Sequence, residues 1–169
     1  SKASSGTLKV TLPQLDFLQL LRQALGEYEE KFLQSSLTPV VSGPETPCTI
    51  LADGRHLWRV VDNLLGNCCK YAMPGTRVYL DLEHLGDSIE LTVKNISRAP
   101  LNLPPEQLLE RFVRGDSSRT TEGSGLGLSI AQSLTELQGG AFRLEIDGDL
   151  FKARVALPVP PEPPSALPE

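Results

Sequence analysis

The sequence predicts a two-layer α/β protein in which helices cover one face of a mixed sheet. Apolar residues recur at helical spacing in some segments and alternate in others. The two kinds of segment are interleaved, with antiparallel hairpins among helices rather than a strict strand–helix repeat. Each helical segment has a single apolar stripe and each strand a single apolar side, so every element has one face to bury and one face for water.

The elements follow in order. Ser1–Gly6 reads as a flexible start, and the folded unit is expected over residues 7–158. Leu8–Leu12 is short and β-like. Asp16 is a candidate cap for a helix of about five turns, because Leu18, Leu21, Leu25, Tyr28 and Phe32 recur every third or fourth residue. Leu37–Val41 and Pro47–Leu51 read as extended pieces around the breaker Ser42-Gly43-Pro44. Asp53-Gly54 opens a second helix, with Leu57, Val61, Leu64 and Cys68 as its stripe, which ends before Pro74-Gly75. Val78, Leu80 and Leu82 alternate, as do Ile89, Leu91 and Val93, and Gly86-Asp87 between them suggests a hairpin turn.

Pro104 and Pro105 open a short helix through Arg111. Phe112–Gly125 has little apolar periodicity and reads as a mobile loop. Leu126, Ile130, Leu134 and Leu137 form a third long helix, closed by Gly139-Gly140. Phe142, Leu144 and Ile146, then Phe151, Ala153, Val155 and Leu157, alternate across the turn Asp147-Gly148 and make a final hairpin. Six of the last twelve residues are proline, so residues 159–169 are expected to be a disordered tail.

The 169 residues suit one domain with one core. The net charge of −5 argues against a broad nucleic-acid surface, which needs a basic face, but leaves room for a local cationic pocket. No apolar run reaches the ~18–20 residues needed to cross a bilayer. The three cysteines, Cys48, Cys68 and Cys69, include an adjacent pair and no Cys-x-x-Cys spacing. They fit buried thiols in a reducing compartment better than a disulfide framework or a zinc site.

Two segments carry chemistry. In Asp62-Asn63-Leu64-Leu65-Gly66-Asn67-Cys68-Cys69-Lys70-Tyr71-Ala72, helical geometry puts Asn63, Asn67 and Lys70 within about 60° of one another. The apolar stripe lies on another side. Carboxamide oxygens are hard, neutral ligands suited to a Mg²⁺ ion that phosphates already hold, and Lys70 adds a cation for the same phosphates. The alternative is an ordinary solvated helix face.

The second segment is Glu122-Gly123-Ser124-Gly125-Leu126-Gly127-Leu128-Ser129-Ile130. Its alternating glycines can bring backbone N–H groups against an anion at a helix start, or serve as a plain hinge. It lacks the Gly-Lys-Ser/Thr ending of a P-loop, and its spacing departs from the dinucleotide fingerprint. Between the two segments, Arg111, Arg114 and Arg119 could swing over a bound nucleotide.

Together these stretches resemble the GHKL ATPase superfamily, specifically the catalytic domain of bacterial sensor histidine kinases. Asn63–Ala72 is similar to the N box, Leu109–Asp116 to the F box, and Gly123–Leu128 to the second glycine box, in the family order. The resemblance covers about Leu8 to Pro158. It implies a Bergerat-type sandwich of about five strands backed by three helices, holding ATP and Mg²⁺ under a lid. It further implies that Asn63 and Asn67 hold the metal, and that Lys70 and Tyr71 meet phosphate or ribose. Arg111, Arg114 and Arg119 would lie in the lid. Gly123, Gly125, Leu126, Gly127 and Leu128 would offer backbone groups to the phosphates.

One motif departs from the family. Where the family has Asp-x-Gly-x-Gly, this chain has Asn95-Ile96-Ser97-Arg98-Ala99. The implied adenine acceptor is then the Asn95 oxygen, with Ser97 and Ala99 in place of glycines.

The two histidines, His56 and His84, lack the context of a phosphoacceptor. The resemblance therefore implies a domain that positions ATP for transfer to a histidine on a separate dimerisation domain, with a response regulator as indirect partner. The fragment is expected to be a monomer without nucleic-acid or direct membrane contact, and to be the cytoplasmic part of a membrane-anchored sensor. A degenerate nucleotide-binding module without kinase activity is the alternative that the Asn95–Ala99 stretch leaves open. A gyrase-like ATPase or an anti-sigma kinase fits the motif wording less well.

Overall fold

The computed structural model describes residues 12–101, 104, 107 and 126–161. The expected strand at Leu8–Leu12 falls almost wholly outside this set, and Leu12 itself is not in a strand. The first strand instead is β1 (Gln14–Asp16), followed by helices α1 (Phe17–Glu27) and α2 (Glu29–Gln34). Asp16 caps α1 by accepting from the Leu18 and Gln19 amides. The expected five-turn helix is thus two helices meeting at Tyr28, whose ψ of 1° leaves the helical range. Both keep the same face inward, which is why the apolar spacing runs on through the break.

Next come β2 (Thr38–Ser42), β3 (Thr49–Leu51) and the long helix α3 (Gly54–Tyr71), which Asp53 caps through the Arg55 and His56 amides. The hairpin β4 (Arg77–Leu85) and β5 (Ser88–Ile96) precedes α4 (Leu126–Leu137) and the hairpin β6 (Ala141–Asp147) and β7 (Leu150–Pro158). Of the expected short helix after Pro104, only Pro104 and Gln107 are described.

Five strands form one sheet in the order β2-β4-β5-β7-β6, with β2 parallel to β4 and the other pairs antiparallel. This is the mixed sheet the sequence predicts. Pro47–Leu51 does not join it, because β3 pairs with β1 in a separate antiparallel ribbon. The inward residues of β4, β5 and β7 pack with Phe17, Leu21, Leu57, Val61, Leu65 and Leu128 in one core.

The other face of the sheet is polar. Glu90 on the central strand β5 is nevertheless only 8 % exposed. The Arg154 guanidinium covers it, donating to Glu90 Oε1 at 3.2 Å, Thr92 Oγ1 at 3.2 Å and Glu145 Oε1 at 3.0 Å. Arg154 holds the Glu145 carboxyl below the usual carboxylate range.

Gly139-Gly140 closes α4 as expected, and the reason is spatial as well as conformational. Gly139 has φ of +85°, while a Cβ on Gly140 would stand 2.3 Å from the Ala156 carbonyl oxygen. Just before them, Gln138 accepts from the Asp53 amide at 2.8 Å and donates to the Leu134 carbonyl at 2.8 Å. It thereby joins the end of α4 to the cap of α3. Just beyond β7, Val159 donates to the Asp87 carbonyl at 3.0 Å. Residues 162–169 lie outside the described set. Among the described residues, no helix is long and apolar enough to cross a membrane.

Candidate functional site

The site is built on the outward face of α3. The inward stripe of that helix, with Leu57, Val61, Leu64, Leu65 and Cys68 buried, fixes its rotation. Asn63, Asn67 and Lys70 are therefore left on the opposite side, lining an open cleft of ≈ 520 Å³ together with Tyr71 and Gly127. That volume is in the range of cofactor-sized ligands.

The start of α4 forms one wall. A Cβ at Gly127 would come within 3.6 Å of the Asn63 side chain, so the α4 backbone sits directly against that carboxamide. The first N–H groups of a helix and its dipole favour an anion at such a place. Asn63 Nδ2 is buried and has no hydrogen-bond partner among the described residues. A buried polar atom in that state is costly. Turning the amide over presents the oxygen there instead, so this position suits a cation as well as an acceptor. Asn63, Asn67 and Lys70 therefore fit a metal–phosphate group.

The opposite wall comes from the junction of α1 and α2, which sequence reasoning assigned only to the core. Tyr28 and Lys31 line the cleft there. The Tyr28 hydroxyl donates to Asp62 Oδ1 at 2.7 Å, and burial followed by this bond raises its pKa. Only a Tyr in an otherwise apolar stripe, and a glycine at position 66, hinted at this contact.

The remaining expected site residues divide. Asn95 is not among the described residues that line this part of the cleft. It is 3 % exposed on the inward side of β5, beneath α3, where its Oδ1 accepts from the Cys68 thiol at 3.8 Å. The stretch after it is stitched to the end of α3. Met73 donates to the Ile96 carbonyl at 2.8 Å and Arg98 to the Tyr71 carbonyl at 2.9 Å, while the Arg98 guanidinium bonds the Lys70 carbonyl. Ser97 turns the chain with its hydroxyl, donating to the Ala99 carbonyl at 2.7 Å. Leu128 points into the core, so only its backbone can serve a ligand. Of Leu126 only the backbone is described, and Arg111, Arg114, Arg119, Gly123 and Gly125 lie outside the described residues.

Residues 52–161 match the family of histidine kinase-, DNA gyrase B-, and HSP90-like ATPases. The chain belongs to this ATPase family. The curated proteins it is similar to include sensor proteins. It is 31 % identical to the probable sensor protein PcoS of Escherichia coli over 163 residues, which is 93 % of this chain and 34 % of PcoS. It is 38 % identical over 99 residues to the histidine-protein kinase/phosphatase MprB of Mycolicibacterium smegmatis, covering 57 % of this chain and 20 % of MprB. The chain thus spans about a third of PcoS and a fifth of MprB.

Among solved structures, the catalytic domain of histidine kinase ThkA superposes with a TM-score of 0.74 at 21 % identity, over 87 % of this chain and 95 % of that one. The mycobacterial sensor histidine kinase MprB gives a TM-score of 0.72 at 25 % identity, over 89 % and 99 %. The five-stranded mixed sheet with helices is the architecture of those domains.

Proposed function

We propose that this ATPase domain is the catalytic part of a two-component sensor histidine kinase, which binds ATP with Mg²⁺ and presents the γ-phosphate to a histidine on a separate dimerisation domain. The observation that carries the reading is the unpartnered, buried Asn63 amide, set against the α4 backbone and beside Asn67 and Lys70 in one cleft. The names of its relatives point the same way.

In this reading Asn63 and Asn67 hold the ion through their oxygens, and Lys70 meets a phosphate. Tyr71 lies near the ribose or phosphates, and Gly123, Gly125, Leu126, Gly127 and Leu128 offer backbone N–H groups to the anion. Arg111, Arg114 and Arg119 belong to the lid, and Asn95 to the adenine end. Bound Mg²⁺ would neutralise charge as the γ-phosphoryl leaves ADP. The protein's own part is to hold the phosphates in line and exclude water. The P–O bond to ADP breaks as a P–N bond to the partner's histidine forms. The parent's response regulator then takes the phosphoryl group. The domain works at the cytoplasmic side of a membrane-anchored parent, and alone it is a monomer.

The test is calorimetric binding of ATP with and without Mg²⁺, followed by incubation with γ-labelled ATP. The chain should bind ATP more tightly with Mg²⁺ and retain no acid-labile phosphate. Joined to its dimerisation domain, it should transfer phosphate to a histidine there. Failure to bind ATP under either condition overturns the proposal.

A further inference from the structure

We propose that Lys31 is a phosphate-contacting residue of this cleft, held in position by the Tyr28 ring, which Asp62 locks in place. The inference rests on the nucleotide reading above. It adds a second wall to a site that otherwise stands only on α3 and α4.

The ring is fixed at both ends. Its hydroxyl donates to Asp62 Oδ1 at 2.7 Å and lies 3.0 Å from the Asp62 carbonyl oxygen, which places it on the helix that carries Asn63 and Asn67. Gly66 makes this approach possible, since a Cβ there would be 3.3 Å from the hydroxyl. The ring meets Phe32 edge-on, with centroids 6.2 Å apart. Phe32 is itself in the core.

Lys31 Nζ stands 5.0 Å from the Tyr28 ring centroid. Acidic neighbours are at hand on α2, Glu29 and Glu30, yet among the described residues Lys31 makes no ion pair. An exposed ammonium held by a ring face keeps its donors free, because the ring accepts charge and not hydrogen bonds in a fixed geometry. Asp62 is the carboxylate of the cleft lining, and the Tyr28 hydroxyl occupies one of its oxygens. Lys31 and Lys70 then stand in the same cleft as the two carboxamides. A compact ammonium on a long stem suits a polyphosphate, whose charge is spread and whose orientation other groups set.

The test is the affinity of the chain for ATP, ADP and AMP, read by displacement of a fluorescent ATP analogue with Mg²⁺ present. Lys31→Met keeps the stem and removes the charge. It should weaken ATP about fivefold, leave AMP unchanged and flatten the salt dependence of ATP binding. Lys31→Arg should keep most of the affinity. Tyr28→Phe keeps the ring but frees it from Asp62, and should weaken ATP while sparing AMP. The inference is overturned if Lys31→Met binds ATP like wild type, or loses ATP and AMP equally. An unchanged ATP affinity in Tyr28→Phe overturns the positioning role. A wild-type chain that binds none of the three overturns the nucleotide reading, and this inference with it.

Discussion

The Cys68 thiol donates to Asn95 Oδ1 across 3.8 Å, joining the inward side of α3 to the central strand β5. The contact is fully buried, and it lies directly behind the cleft-lining face of the same helix. Burial, and then the neighbouring Cys69, push the Cys68 thiol up to about 12. The thiol is therefore a neutral donor throughout the physiological range, and Asn95 sees a proton rather than a thiolate.

The chain should lose stability in alkali. Unfolded, Cys68 ionises near the ordinary thiol value of 9.0, while folded it stays protonated to about 12. Between those values the native state binds more protons than the unfolded state, so stability falls as pH rises, by about 1.4 kcal/mol per pH unit for this group. Cys48 and Tyr28 are shifted in the same direction. Urea midpoints from pH 8 to pH 11 should show the fall, and Cys68→Ala should make it shallower.

Asn95→Asp should destabilise the chain at neutral pH by about 1–3 kcal/mol, because the position is buried and the carboxylate loses its water. Such a carboxyl titrates at a higher pH folded than unfolded. The variant should then approach wild-type stability below about pH 4 and lose it as pH rises. Thermal melts across that range check the sign.

Gly140→Ala should cost about 2–4 kcal/mol. The obstacle is the Ala156 carbonyl oxygen at 2.3 Å, which belongs to the backbone of β7, a strand paired on both sides, and cannot yield as a side-chain tip would. Gly26→Ala is the control, because nothing lies within 4 Å of its added Cβ. It should be neutral or slightly stabilising in chemical denaturation.

Asn67→Ala should abolish the Mg²⁺-dependent part of ATP binding and, in the chain joined to its dimerisation domain, phosphate transfer. Stability should change by only ~0.5 kcal/mol, since the inward stripe of α3 is untouched. Calorimetry with and without Mg²⁺, beside a melting curve, separates the two effects.

Much of the fold was legible because apolar period is a local property. Leu57, Val61, Leu64 and Cys68 gave the rotation of α3, and with it the outward placing of Asn63, Asn67 and Lys70. The alternation in β4, β5, β6 and β7, with the turns at Gly86 and Gly148, gave both hairpins. The break at Tyr28 was not legible, since α1 and α2 bury the same face. Nor was the parallel pairing of β2 with β4, because a strand's own pattern does not name its neighbour.

By itself the sequence determined which side of each element is buried, where caps and turns fall, and that the N-box carboxamides share one face with a lysine. Those features depend on residues within a turn or two of one another. Only the tertiary structure decided that Tyr28 meets Asp62, 34 residues away, that Lys31 lines the cleft, that Asn95 is buried against the Cys68 thiol of α3, and that Gly140 must be glycine. Each of these depends on how closely two distant backbones approach. That distance is set by the packing of the whole core and by no local period.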